Sequence, residues 1–205
     1  MIALVDYGAG NVRSVHKALE TVAARVVLAR DPRPLRDADK VVLPGVGAFG
    51  DCMAGLRRAG LVDALQRVVE AGKPLLGICV GMQVLLTEGE EMGRHAGLGF
   101  LPGRVVHFPA AVTAAGLKVP HTGWNQIEPV GDNPLFYGLP SGAWVYFNHA
   151  YYCQALPAHV LAVADYGGPF PAVIGRGAIY GVQFHPEKSQ NVGLSILRNF
   201  LERVK

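Results

Sequence analysis

The chain is poor in charge and in cysteine. Of its 205 residues only 17% are charged, and 19 basic against 16 acidic side chains leave a formal net charge of +3. That balance is too mild, and the basic residues too scattered, to suggest a nucleic-acid partner. Half of the residues are hydrophobic, which excludes a disordered chain. The three cysteines, Cys52, Cys79 and Cys153, stand far apart, without a CxxC pair. A zinc site and a redox dithiol are therefore unsupported, and no cofactor is expected. An odd count of thiols without a disulfide framework points to a reducing, cytoplasmic setting. No apolar run reaches membrane-spanning length. The opening MIALVDYGAGNVRS lacks the basic leader and apolar core of a signal peptide. The length fits one domain, residues 1–205, large enough to bury a good core.

What is present alternates. IALVDYG, RVVLAR, KVVLPG and PLLGIC are apolar or β-branched runs without polar alternation. Asn11 to Ala24 has helical spacing, with Val12, Val15, Ala18, Leu19 and Val22 on one face. Two more helices are expected, from Cys52 to about Arg58 with Asp51 as its cap, and from Leu61 to Ala71. DPRPLRDAD reads as a polar connection. Such a pattern predicts a parallel sheet covered on both faces. From Gly103 the character changes. GRVVHF, AWVYFNHAYY, HVLAVADY, PAVIGR and AIYGVQF are short strand candidates separated by turn residues, which suits antiparallel hairpins. A helix over Val192–Val204 closes the chain. The expected fold is a single α/β domain with a mixed, mostly parallel sheet and helices on both faces. In such sheets ligands bind at the carboxyl ends of the strands. Gly8 and Gly10, Gly45 to Gly50, Gly77 to Gly81 and the segment after Phe184 lie there.

One strand end stands out. KPLLGICVGMQVLL places Cys79 between Gly77 and Gly81, on the bend from an apolar strand to a helical segment. Small flanking residues permit the tight turn of a nucleophile elbow. A helix N-terminus favours the thiolate, and the Val80 amide would face a developing oxyanion. The spacing by itself fits a small buried cysteine equally well. A nucleophile needs a base, and GVQFHPEKSQ supplies His185 at another carboxyl strand end, with Glu187 two residues on. In an extended segment those two side chains point the same way, so Glu187 can orient one ring nitrogen while the other faces Cys79. The histidine nearest to competing is His149, whose aromatic neighbours in YFNHAYY favour a core or pocket-wall place. LPGVGAFGD, with Gly45, Val46 and Gly47, can bring backbone amides close to a ligand. It lacks the Lys-Ser/Thr of a phosphate loop.

Taken together, GICVGMQ, PGVGAFGD and FHPEKS resemble the nucleophile, oxyanion and His-x-Glu motifs of the class I (triad) glutamine amidotransferases, in that family's order. The resemblance implies a flavodoxin-like fold that hydrolyses the side-chain amide of glutamine. Cys79 would attack, His185 shuttle the proton and Glu187 orient it. Gly45, Val46, Gly47 and Val80 would form the oxyanion hole, and Gln83, Gly47, His149 and Ala150 would hold glutamine. DYGAGN, PHTGWN and YFNHAYY are similar to one subfamily, the glutaminase subunits of imidazole glycerol phosphate synthase in histidine biosynthesis. That implies a cyclase-subunit partner, a (β/α)₈ barrel in a heterodimer, met by Asn11, Lys17, Trp124 and Lys188. Thr122, Asn148 and Ala150 depart from the subfamily's usual Met, Val and Ser. The same triad also serves glutaminase subunits of the anthranilate, aminodeoxychorismate and purine pathways; DYGAGN and PHTGWN favour histidine synthesis.

Overall fold

A computed structural model describes residues 1–22 and 25–205. The chain runs β1 (Ile2–Val5), α1 (Val12–Val22), β2 (Val26–Ala29), α2 (Pro32–Asp37), β3 (Lys40–Gly45), α3 (Phe49–Arg58), α4 (Val62–Glu70), β4 (Leu75–Cys79) and α5 (Val80–Gln83). It continues through β5 (Leu86–Gly89), β6 (His95–Ala96), β7 (Leu101–His107), α6 (Ala110–Ala114), β8 (His121–Pro129), β9 (Ala143–His149) and β10 (Tyr151–Ala155). Strands β11 (Val160–Asp165), β12 (Pro169–Arg176) and β13 (Ile179–Val182) precede α7 (Gln190–Arg203).

The main sheet has the order β2-β1-β3-β4-β13-β12-β11-β8-β9. From β2 to β13 every pairing is parallel; from β13 to β9 every pairing is antiparallel. The sheet is mixed as expected, with its parallel part confined to one half. Every residue of β1, β4 and β13 is buried, which requires cover on both faces and explains their unbroken apolar runs. Helix α1 turns Val15, Ala18 and Leu19 inward, and α4 turns Ala64, Leu65 and Val68, at the three-to-four residue spacing of an amphipathic helix. Phe49, Phe147, Phe170, Phe184 and Phe200 are the largest wholly buried side chains.

Several elements differ from the expectation. The stretch DPRPLRDAD contains α2: Asp31 caps it by accepting from the Arg33 amide at 3.0 Å, and Pro32 takes the first helical position, where its missing N–H is harmless. Asp51 caps nothing; α3 starts two residues earlier, and the carboxylate of Glu91 accepts from the Phe49 amide at 2.8 Å. The expected end of α1 at Ala24 lies outside the described residues. AWVYFNHAYY is not one strand. It breaks at Ala150, where the chain leaves β9 in the main sheet and enters β10 in a second, four-stranded sheet of order β10-β7-β5-β6.

The helical segment after Cys79 is a single turn, α5, and it lies directly on the sheet. A Cβ at Gly81 would fall 1.9 Å from the Leu43 carbonyl oxygen, and one at Gly77 would fall 2.4 Å from the Gly81 carbonyl oxygen. These glycines serve backbone contact rather than unusual dihedrals. Gly81→Ala is expected to lose more than about 3 kcal/mol of folding stability, as overpacking against backbone does. Gly60→Ala, in open space at φ 65°, is expected to lose only the left-handed penalty of about 1–2 kcal/mol. Urea denaturation of both variants checks this; an equal or smaller loss at Gly81 would reject the close-contact account.

Candidate active site

Strand β4 lies between β3 and β13. Gly45 of β3 is level with Cys79, and Val182 of β13 is level with Ile78. The loop after β3 and the segment after β13 therefore flank the thiol. Cys79 itself has φ 56° and ψ −114°, a conformation that costs a residue with a side chain about 1–3 kcal/mol and persists only where surroundings impose it. The imposing contact is α5 on the strands beneath. The strain thus sits on the cysteine, and the flanking glycines let the turn approach. A one-turn helix carries little macrodipole, so the backbone amide of Val80 is the feature of α5 that matters.

His185 is buried, and its Nδ1 lies 2.9 Å from Glu187 Oε1, with the two side chains 4% and 0% exposed. The pair is not held by strand alternation as expected. His185 caps a 3₁₀ turn, Pro186–Lys188, that swings Glu187 beneath it. Ser189 clamps this turn: its hydroxyl donates to the His185 carbonyl at 2.7 Å and accepts from the Tyr146 amide at 2.9 Å. Burial pulls the imidazole pKa down, but hydrogen bonds and charge attraction from Cys79 and Glu187 outweigh it and hold His185 at about 10, above the usual 6.5. The ring nitrogen away from Glu187 is thereby committed to the thiol.

A cavity of about 450 Å³ opens over Cys79 and His185. Val46, Gly47, Val80, Gln83, His149 and Ala150, all expected at the site, line it. Gly45 does not: it is buried in β3, where an added Cβ would fall 2.4 Å from the Gly81 amide nitrogen. Its flanking carbonyls are held by side chains, Pro44 O by the Tyr7 hydroxyl at 2.9 Å and Val46 O by the Cys52 thiol at 3.5 Å. Asn148 lines the cavity as well, and its Oδ1 accepts from the Thr122 hydroxyl at 3.0 Å; two of the three departures from the usual pattern thus pair with each other. Glu91, also on the lining, carried no sequence signal.

Behind this wall lies a hydrogen-bond chain. The Asn125 amide donates to His121 Nε2 (3.4 Å), His121 Nδ1 to His149 Nε2 (3.2 Å), and His149 Nδ1 to the Tyr151 carbonyl (2.8 Å). This assignment of tautomers satisfies every ring nitrogen. Burial lowers the pKa of His121 to about 4 and that of His149 to about 3, so both rings are neutral.

Of the expected partner-facing residues, Asn11 and Lys188 line the cavity. Asn11 Nδ2 is 3.5 Å from Glu187 Oε1. Trp124 is 43% exposed and packs edge-on against Tyr146, whose ring lies 5.5 Å from Lys188 Nζ. Lys17 lies apart, on a separate cavity of about 280 Å³ that reaches Glu187 from the other side.

A strained thiol on a strand-to-helix turn, facing an imidazole backed by a buried carboxylate, has the layout of a cysteine-nucleophile acyl-transfer enzyme on a doubly wound sheet. Residues 3–204 match the family model "Glutamine amidotransferase class-I", and the chain belongs to that family. It is 53% identical over 203 residues to a protein of Syntrophotalea carbinolica, covering 98% of each chain, and 50% identical over 204 residues to one of Geobacter sulfurreducens, again 98% of each. Both relatives are named imidazole glycerol phosphate synthase subunit HisH. Among solved structures, a glutamine amidotransferase matches with a TM-score of 0.75 at 23% identity over 98% of each chain. PurLQS from Thermotoga maritima matches at 0.73 and 19%, over 100% of this chain and 98% of the other. These structural matches speak to the fold.

The buried histidines set opposite pH dependences. His121 and His149 bind protons less readily folded than unfolded, so their contribution to stability is full above pH 6.5 and falls as the pH drops toward 4. His185 is raised, so its contribution is full below pH 6.5 and fades as the pH climbs toward 10. Urea midpoints measured from pH 4 to 10 are expected to show both arms. Cys79→Ala should flatten the alkaline arm alone; loss of the acid arm in that variant would contradict the assignment.

Proposed function

We propose that this chain is the glutaminase subunit of an imidazole glycerol phosphate synthase, producing ammonia from glutamine for histidine biosynthesis. The observation that carries the reading is the placing of strained Cys79 and His185 on one cavity, with the buried Glu187 carboxylate 2.9 Å behind the imidazole. The near-full-length relatives that bear the synthase name support the pathway.

The chemistry follows from the positions. With the thiol proton already resting on His185, the sulfur of Cys79 attacks the carboxamide carbon of glutamine. Charge develops on the amide oxygen, where the Val80 amide and the Val46–Gly47 backbone are the nearby donors. His185 then delivers its proton to the departing nitrogen, and ammonia leaves a glutamyl thioester. Water, deprotonated by the now neutral His185, hydrolyses the thioester and releases glutamate. Glu187 orients the imidazole and stabilises its charged form throughout. Both N–H groups of Gln83 Nε2 are occupied by the Tyr151 carbonyl at 3.0 Å and Gln183 Oε1 at 3.2 Å, which leaves its own Oε1 to accept from the substrate. His149 and Ala150 complete the wall against which glutamine lies.

The partner in this reading is a cyclase subunit, a (β/α)₈ barrel forming a heterodimer that covers the cavity mouth and takes up the ammonia. Asn11 and Lys188 on the lining, with half-exposed Trp124 beside them, suit that cover. Exposed aromatics next to a functional cavity are common in interfaces. Lys17 would meet the partner at the far side of Glu187.

The test is glutamate release from glutamine by the chain mixed with the cyclase subunit and its nucleotide ligand. Release is expected, with a loss of at least about 10⁴-fold in Cys79→Ala, and a glutamyl adduct on Cys79 is expected by mass spectrometry after acid quench. A folded wild-type chain that releases no glutamate in that mixture, but does so with another synthase, would overturn the histidine assignment while leaving the chemistry intact.

A further inference from the structure

Gln183 lies outside the triad and outside the cavity lining, yet its side chain ends on the reacting sulfur. It follows β13 and is 0% exposed. Its Nε2 lies 3.9 Å from Cys79 Sγ, and its Oε1 accepts from Gln83 Nε2 at 3.2 Å. The second contact decides the first. Gln83 Nε2 is a donor only, so the atom of Gln183 facing it must be the oxygen, and the NH₂ group must face the sulfur. Gln83 is held in turn, because its Nε2 also donates to the Tyr151 carbonyl, which accepts from His149 Nδ1. The chain of bonds thus runs from the buried histidines through two glutamines to the thiol, and each amide has one workable orientation.

We propose that Gln183 is a second hydrogen-bond donor to the Cys79 thiolate, acting with His185 to stabilise the sulfur anion before attack. This rests on Cys79 being the nucleophile. A buried amide is unfavourable unless bonded, and a methionine of similar shape would fill the volume without a polar group to satisfy. A neutral donor is well suited here. It stabilises the anion, keeps its own protons, and does not compete with His185 as the acceptor of the thiol proton. Gln183 does not line the cavity and reaches glutamine only through Gln83, which the Tyr151 carbonyl also holds, so its larger effect falls on the sulfur. At 3.9 Å the contact is long; as charge gathers on the sulfur the amide is drawn closer. The strand register makes the placement possible, because Val182 is level with Ile78 and carries Gln183 past the turn at Cys79.

The experiment uses the full chain with its synthase partner. Iodoacetamide alkylation of Cys79 is followed against pH, and steady-state glutaminase kinetics are measured for wild type, Gln183→Met, Gln183→Glu and Cys79→Ala. In Gln183→Met the midpoint of the alkylation profile is expected to move up by about one pH unit. Its kcat should fall about 10- to 100-fold, the range for a hydrogen bond to a charged group, while KM for glutamine changes less than about threefold. Gln183→Glu keeps the shape; once ionised it has no donor and sets a negative charge against the sulfur, so kcat should fall further as the pH rises, and it provides the reading if Gln183→Met does not fold. An unchanged alkylation profile and kcat in a folded variant would overturn the proposal, as would a change in KM alone. If instead Cys79→Ala still releases glutamate, the nucleophile assignment fails, whatever the Gln183 variants do.

Discussion

The backbone of α5 rests on the backbone of the strands around it, with no side chains between them. At Gly45, Gly77 and Gly81 an added Cβ would lie within 2.4 Å of a main-chain atom. This contact sets where the turn after β4 can go, and so compels Cys79 into φ 56°. Once the turn is seated, the rest of the site follows from register. The loop after β3 is level with the thiol on one side, and the Gln183–His185 segment passes it on the other. Loosening the seat would let Cys79 relax to an ordinary conformation and carry the sulfur away from both. The strain is thereby held by backbone packing beneath the turn.

The site keeps two kinds of histidine within one wall. His185 has a carboxylate at 2.9 Å and a thiol as its other neighbour, and is held protonated against the pull of burial. His121 and His149 have only each other, an amide and a carbonyl, so burial prevails and they stay neutral. The difference lies in the partners, not in the depth, since all three are at most 6% exposed. It allows one histidine to move protons while the other two serve as fixed hydrogen-bonding struts. Those struts support the Tyr151 carbonyl, and through it Gln83 and Gln183.

The antiparallel half of the sheet plays a separate part. Strands β8 and β9 pair from His121–His149 to Ile127–Ala143 and leave Trp124, Tyr146 and Trp144 on one outer face. His149, at the end of β9, turns into the cavity, so the exposed aromatic face and the cavity wall belong to one pair of strands. A body docked on that face would bear directly on the wall and on the Ser189-clamped turn, because Tyr146 bonds to both Ser189 and His185 through its main chain. The geometry offers a short mechanical route between that face and the triad.

Much of this was legible in the residues alone. Fully buried strands announce themselves as unbroken apolar runs because both faces must be covered, and α1 and α4 by their spacing, because one face must be. Cys79, His185 and Glu187 were legible because a glycine-flanked thiol and a His-x-Glu pair are rare local patterns with a chemical use. Gln183 was within reach, since it stands two residues before His185 on an extended segment, the same alternation that drew attention to Glu187. Other features had no local signature. The break of AWVYFNHAYY at Ala150 depends on which distant strand each half pairs with, and the cap of α3 comes from Glu91, far along the chain. Gly45 looked like an oxyanion donor from its loop, and only the approach of Gly81 assigned it to packing. The sequence by itself determined which groups are available, because chemistry and local conformation belong to residue types and short spacings. The tertiary structure alone decided which groups meet, at what distance and in which charge state, because hydrogen-bond partners, burial and the strain at Cys79 arise from segments that the chain brings together only when folded.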